Sequence, residues 1–182
     1  MEITPPKMCR VEASLNCTHD LRAGRYNGAV AFIIRDFKTA DFETLWRIDQ
    51  QCFAPGISYS KAELRAYIRH RASFTLVADD EKSGQTQGFI VGHIGPTGHI
   101  ITIDVLASAR RSGLGSLLLR SAEDRMLAAG SHAVGLEAAV DNVGALSFYK
   151  RHGYSVIRTW PRYYSNGVDA LVLRKEFGIV DG

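Results

Sequence analysis

Between an apolar alternating run, Ile100 to Leu106, and a helical run from Leu117 to Ala129 lies the stretch Arg110-Arg111-Ser112-Gly113-Leu114-Gly115-Ser116. A strand that opens through a basic, glycine-bearing turn into a helix builds an anion site. The first helical N–H groups have no intrahelical acceptor, and the helix dipole places partial positive charge beside them. Gly113 and Gly115 put no Cβ between backbone and phosphate, while Arg110 and Arg111 add fixed charge. The stretch suits a pyrophosphate. It matches neither common nucleotide loop. G-x-G-x-x-G needs a third glycine and an acidic residue about 20 positions on, and G-x-x-x-x-G-K-[ST] needs a Lys that follows neither glycine here.

A second block runs from Leu136-Glu137 to Asn142, Ala145 and Tyr149. Spaced three and four apart on a helix, Asn142, Ala145 and Tyr149 share one face. A small Ala between two polar groups leaves a shallow channel. An elongated ligand can lie along it, its amides bonded by the Asn side chain and its end reached by the phenol. The same spacing also describes an amphipathic helix whose Tyr covers core, capped by Asp141 or Asn142. Glu137, on the strand before that helix, is a candidate general base. His99 shares a strand face with the apolar Ile101 and Ile103 if alternation is unbroken. It therefore reads either as an assistant to Glu137 or as a structural histidine.

These groups need a scaffold, and the hydrophobic periodicity outlines one. Ala29 to Arg35 is a short strand. Thr39 or Asp41 can cap a helix running towards Gln51, with Phe42, Leu45, Trp46 and Ile48 on its apolar face. After a loop, Ser60-x-x-Glu63 forms a capping-box pattern that opens a second helix to about Arg69. Phe74 to Asp79, Gly88 to Ile94 and Ile100 to Leu106 read as an antiparallel meander. Ala133 to Ala138 is a strand, Asn142 to Arg151 a helix and Tyr154 to Thr159 a strand. Asn166-Gly167 marks a hairpin before a last strand, Ala170 to Lys175. The order β-α-α-β-β-β-α-β-α-β-β is mixed α/β. Residues 1–28 show no periodic element and read as an N-terminal extension, partly disordered on its own, before a domain at 29–178.

Composition narrows the function classes. With 182 residues, 46% hydrophobic and 23% charged, the chain is that of one ordinary globular domain. Its 22 basic against 19 acidic side chains suit an anionic ligand but fall short of a nucleic-acid footprint. No apolar run is long enough to span a bilayer, and the N-terminus lacks an export signal. Cys9, Cys17 and Cys52 have no metal-ligand spacing and read as free thiols of a cytoplasmic protein, with no metal implied.

The R-x-x-G-x-G turn, followed in the right strand–helix order by the Asn-Ala-Tyr helix, resembles the GNAT N-acetyltransferase superfamily over roughly Ala29 to Phe177. Three further stretches are similar to one branch of it: Gly98-His99-Ile100; Leu136-Glu137 ahead of Asn142; and Pro161-Arg162-Tyr163-Tyr164 with Asn166-Gly167-Val168-Asp169-Ala170. That branch holds the ribosomal-protein-alanine N-acetyltransferases and the eukaryotic N-terminal acetyltransferases. Ala138 and Ala139 stand where the branch usually carries Val and Arg, which leaves the peptide preference open.

The resemblance implies a central mixed sheet of about seven strands flanked by about four helices. It implies acetyl-CoA bound by residues 110–116, Asn142, Ala145 and Tyr149. Backbone N–H groups of a bulged strand at Val105 and Leu106 would bond the acetyl carbonyl. Glu137, assisted by His99, would take the amine proton, and Tyr149, a phenol protonated at neutral pH, would donate to the leaving sulfur. Phe53, Ile57 and Tyr59 on one side, and Tyr163 and Tyr164 on the other, would hold a protein or peptide N-terminus, such as that of a ribosomal protein. No nucleic acid or membrane partner is implied, and oligomeric state is left open. A small-amine acceptor and a non-catalytic acyl-CoA sensor remain alternatives at this level.

Overall fold

The computed structural model describes residues 31–53 and 57–178. The expected extension at 1–28, the start of the first strand, and Cys9 and Cys17 lie outside the described residues. In chain order the elements are β1 (Phe32–Asp36), α1 (Phe42–Cys52), α2 (Lys61–Arg69), β2 (Ser73–Asp80), β3 (Thr86–His93), β4 (Thr97–Val105), α3 (Leu114–Ala128), β5 (Ala133–Ala139), α4 (Val143–Arg151), β6 (Ser155–Trp160) and β7 (Ala170–Glu176). The order is the expected one. One boundary moves with consequence: α3 begins at Leu114 rather than Leu117, so Gly115 and Ser116 lie in its first turn.

Local chemistry explains most of these limits. Ser60 and Glu63 close a full capping box, with Glu63 N–H donating to Ser60 Oγ at 3.2 Å and Ser60 N–H to Glu63 Oε2 at 2.9 Å. Asn142 caps α4, its Oδ1 accepting the Ala145 N–H at 3.0 Å. Neither Thr39 nor Asp41 caps α1 through its side chain. Asp41 instead accepts the Lys38 N–H at 2.7 Å and pairs with Arg35, whose guanidinium holds the Asp41 carboxyl below its usual range.

The strands form a single sheet in the order β1-β2-β3-β4-β5-β7-β6. Every pairing is antiparallel except β4 with β5, which is parallel and joins only Thr97 to Ala133, Gly98 to Val134 and His99 to Gly135. The β3–β4 ladder slips between Val91, opposite Thr102, and Gly92, opposite Ile100, so Ile101 is a bulge residue with no partner.

Side-chain parity places the helices. A Cβ on Gly92 or Gly98 would run into Met126 of α3, so these positions face α3. Gly88 faces the same way, towards Leu118, together with its partner Val105. Asp104 therefore points to the opposite face, where α1 lies. The core, including Leu45, Leu64, Phe89, Ile103, Leu118 and Leu136, fills both layers.

The tightest backbone approach is at Gly88, where a Cβ would sit 2.5 Å from the Asp104 carbonyl oxygen. Gly88→Ala must push β3 from β4 and should cost about 1–3 kcal/mol, read as a lower urea midpoint. An unchanged midpoint would mean that the strands are not pressed this closely.

Candidate active site

Beyond His99 and Gly135 the strands β4 and β5 part, β4 continuing against β3 and β5 against β7. The gap opens towards the turn before α3. There Gly113 has φ +87° and Arg111 φ +62°, two left-handed residues that swing the chain into the helix. The first helical bond is Leu117 N–H to the Gly113 carbonyl at 3.0 Å. The amides of Leu114, Gly115 and Ser116 thus have no intrahelical acceptor, the arrangement that can take up an anion.

Two expectations need correcting here. The Leu106 amide is engaged, donating to the Gln87 carbonyl at 2.9 Å, so it is not a donor for a ligand. By strand alternation the neighbouring Val105 amide points away from β3, into the gap. The bulge sits at Ile101, not at Val105–Leu106. Arg110 also turns back, its Nε donating to the Val105 carbonyl at 3.0 Å, and so it braces β4. Arg111 stays exposed at the turn. Gly115 has neither a left-handed torsion nor a close neighbour: a Cβ there would make only ordinary contact with the Phe148 ring, at 3.6 Å.

On the other wall, α4 presents Asn142, Ala145 and Tyr149. The Asn142 Nδ2 is buried without a hydrogen-bond partner, a donor held ready for an acceptor that the chain does not supply. Ala145 and Tyr149 are fully buried. The Tyr149 ring packs edge-on to Phe148 and Tyr154, with centroids at 5.2 and 5.4 Å. Unpaired amides at a helix N-terminus, an orphaned side-chain amide and a small residue between them fit a long ligand with phosphates at one end and amides along its arm.

The expected catalytic residues of the sheet, His99 and Glu137, lie on the α1 face. His99 Nε2 is 3.0 Å from Glu137 Oε2, and Glu137 is only 4% exposed. The expected grouping of His99 with Ile101 and Ile103 fails because the bulge breaks the alternation. His99 is opposite His93 and Thr102 opposite Val91, so His99 shares its face with Thr102 and Asp104 instead. Tyr163 stands near this pair; burial and the Glu137 charge push its phenol well above the usual range. Its neighbour Tyr164 is buried, the two rings meeting edge-on at 5.2 Å. Their hairpin is held by Tyr164 N–H to the Val168 carbonyl at 3.0 Å, and by Arg162, at φ +50°, donating its N–H to Asp169 Oδ1 at 2.7 Å. Phe53 and Tyr59 are buried and Ile57 half-buried, so this side packs inward more than it lines an open pocket.

Four residues joined the site unannounced. Tyr67 of α2 packs on Tyr59 at 5.1 Å and contributes to the field at Tyr163. His93 stacks on His70 at 4.5 Å, and burial holds its imidazole below the usual range. Asp49 and Asp104 are buried under the α1–α2 connection. For the last of these a signal was present, since an Asp inside an otherwise apolar strand run is rarely left unexplained.

Residues 42–154 match the acetyltransferase (GNAT) family. The chain belongs to that family. It is 31% identical to an uncharacterized N-acetyltransferase of Methanocaldococcus jannaschii over 146 residues, 79% of this chain and 91% of the relative. It is 32% identical to N-alpha-acetyltransferase 30 of Schizosaccharomyces pombe over 118 residues, 62% of this chain and 77% of the relative. The crystal structure of Ard1 from Thermoplasma volcanium superposes with a TM-score of 0.74 at 28% identity, covering 82% of this chain and 99% of that one. As a GNAT N-acetyltransferase the protein uses an acyl-coenzyme A, and the turn and α4 wall described above fit that molecule. Among the described residues no helix is long and apolar enough to cross a membrane, and no cluster of His, Cys, Asp or Glu is placed to hold a metal ion.

Asn142 serves both helix and cleft. Asn142→Ala removes the cap and should lower stability by about 1 kcal/mol, measured by chemical denaturation without ligand. A loss well below that would mean that the cap is redundant.

Proposed function

We propose that this GNAT enzyme transfers the acetyl group of acetyl-CoA to the α-amino group of a protein or peptide N-terminus. The observation that carries the reading is the Tyr163–Tyr164 hairpin, with Tyr163 standing in the field of the Glu137–His99 pair. A hairpin bearing two tyrosines beside a buried carboxylate suits an extended backbone with an amine at its end. The likeness to N-alpha-acetyltransferases adds to it.

Acetyl-CoA, when bound, supplies a thioester carbonyl as the electrophile. The amides of Leu114, Gly115 and Ser116 would hold its pyrophosphate and Arg111 would add charge, while Asn142 Nδ2 would bond its amide arm over Ala145. The Val105 amide would face the acetyl carbonyl. An α-amine titrates near 8 and must lose a proton to react. Glu137, with His99 against it, would take that proton. Tyr149 would donate to the departing sulfur. Phe53, Ile57 and Tyr59 would wall the first residue of the acceptor opposite Tyr163 and Tyr164.

The test is thiol release with acetyl-CoA and peptides beginning with Ala, Ser or Met, beside polyamines and N-terminally blocked Lys peptides, with mass spectrometry locating the acetyl group. Modification of the α-amine alone is expected. Turnover confined to polyamines would discard the hairpin reading. Tyr149→Phe should lower kcat roughly 10- to 100-fold with little change in acetyl-CoA affinity, and equal losses in both would count against an acid role. Gly113→Val, forced into a left-handed torsion costing about 1–2 kcal/mol, should weaken acetyl-CoA binding about tenfold by calorimetry. Unchanged binding would remove the turn from the phosphate site.

A further inference from the structure

Asp49 of α1 and Asp104 of β4 are 0% and 1% exposed, and nothing in the catalytic reading uses them. Buried carboxyls this complete are retained against a large desolvation cost, so their contacts deserve an account. Asp49 Oδ2 accepts the Tyr59 N–H at 2.8 Å and the Gln50 side-chain amide at 2.9 Å. Gln50 in turn bonds the Tyr59 carbonyl at 2.9 Å, and Trp46 Nε1 donates to that same carbonyl at 3.1 Å. Asp49 therefore pins, from beneath, the arm of chain that delivers Ile57 and Tyr59. Asp104 accepts the Thr102 hydroxyl at 2.9 Å through Oδ1. Asp49 Oδ1 and Asp104 Oδ2 are each buried without a partner, so a proton can sit on either without breaking an existing bond.

The surroundings are mostly acidic or neutral. Glu63 of α2 faces Asp49, and the Cys52 thiol of α1, pushed up to about 12 by burial, lies in the field of both carboxyls. Among the described residues the cation bearing on the pair is Arg110, from the turn after β4. Burial raises Asp49 to about 7, and burial together with the Asp49 charge raises Asp104 well above the usual carboxylate range.

We propose that Asp49 and Asp104 work as a one-proton pair that positions the Ile57–Tyr59 arm: ionised Asp49 clamps the Tyr59 amide, and Asp104 stays neutral beneath it. The ionised acceptor makes the stronger bond to an N–H, so the clamp tightens as pH rises through neutrality. The two protonation steps belong to the pair, the lower one emptying the carboxyl with the better donors. The sign for folding is opposite. The unfolded chain releases both protons near pH 4, so the stability that the pair contributes is present at low pH and lost as pH rises towards 7. The clamp would act as a positioning device for the acceptor, which rests on the proposed function.

The decisive experiment needs no acceptor. Trp46 reports the arm directly, and the chain has 2 Trp, so Trp160→Phe leaves a single emitter. Its emission should titrate with a midpoint near pH 7, vanish in Asp49→Asn, and persist in Asp104→Asn. A flat wild-type curve, or a step that survives Asp49→Asn, overturns the pair. A second measurement keeps the test: the urea unfolding free energy of the wild-type chain minus that of Asp49→Asn should fall from pH 5 to pH 7.5, and a difference that stays flat or rises overturns it. Asp49→Asn should also raise the peptide KM about fivefold, the loss of a charge-assisted bond's excess over a neutral one, with acetyl-CoA KM unchanged. A Trp46 step lost on Asp49→Asn with peptide KM unmoved upholds the pair and sinks the acceptor role of the arm.

Discussion

Strand β4 has two partners to satisfy, β3 along most of its length and β5 over three residue pairs, and the unpaired Ile101 is what makes both compatible with a polar centre. Alternation fixes every side chain to one face of a strand, and one inserted residue reverses the assignment for everything beyond it. Without the bulge, His99 and Asp104 would project to opposite faces. With it, His99, Thr102 and Asp104 share the α1 face. Glu137 joins them because His99 is the register partner of Gly135, two residues before it. Glu137, His99, the tyrosine hairpin and the buried carboxyls are gathered by that slip.

Features that depend on neighbours in sequence were legible before any coordinates. The turn before α3, the Ser60–Glu63 box, the Asn142 cap and the order of elements rest on local sequence, the caps on contacts between residues three apart. Features that depend on pairing across the sheet were not. The Leu106 amide looked available because nothing local reveals that Gln87 takes it. His99 reads from the sequence either as an assistant to Glu137 or as structural, because strict alternation groups it with Ile101 and Ile103, and no residue near Ile101 announces the bulge. The Asp49–Asp104 pair joins residues from α1 and β4, and its significance lies in complete burial, which composition does not express. Tyr149 was assigned to a ligand face, and it does lie on α4 beside Asn142 and Ala145. Its full burial between Phe148 and Tyr154 agrees with the other reading of the same spacing, a Tyr that covers core.

The molecule concentrates its irregularities where ligands would lie. Among the described residues the non-glycine positions with left-handed torsions are Arg111 and Arg162, one in the phosphate turn and one in the tyrosine hairpin. The buried orphan amide is on the cleft wall, and two buried carboxyl oxygens without partners lie beneath the neighbouring arm. Each would be cheaper to replace by ordinary packing, and the surrounding sheet is well enough packed to hold them in place.

The parallel seam between β4 and β5 has a mechanical side. Ala133 to Ala139 pairs with β7 at seven positions but with β4 at only three, and Gly130, at φ +88°, begins the short link across. The single sheet thus has two halves, β1 to β4 and β5 to β7, sewn by a few stitches at one end and opened at the other. Three register pairs are all that the backbone ladder supplies along the line where the proposed coenzyme would lie. A long ligand laid across that line would work as a rivet.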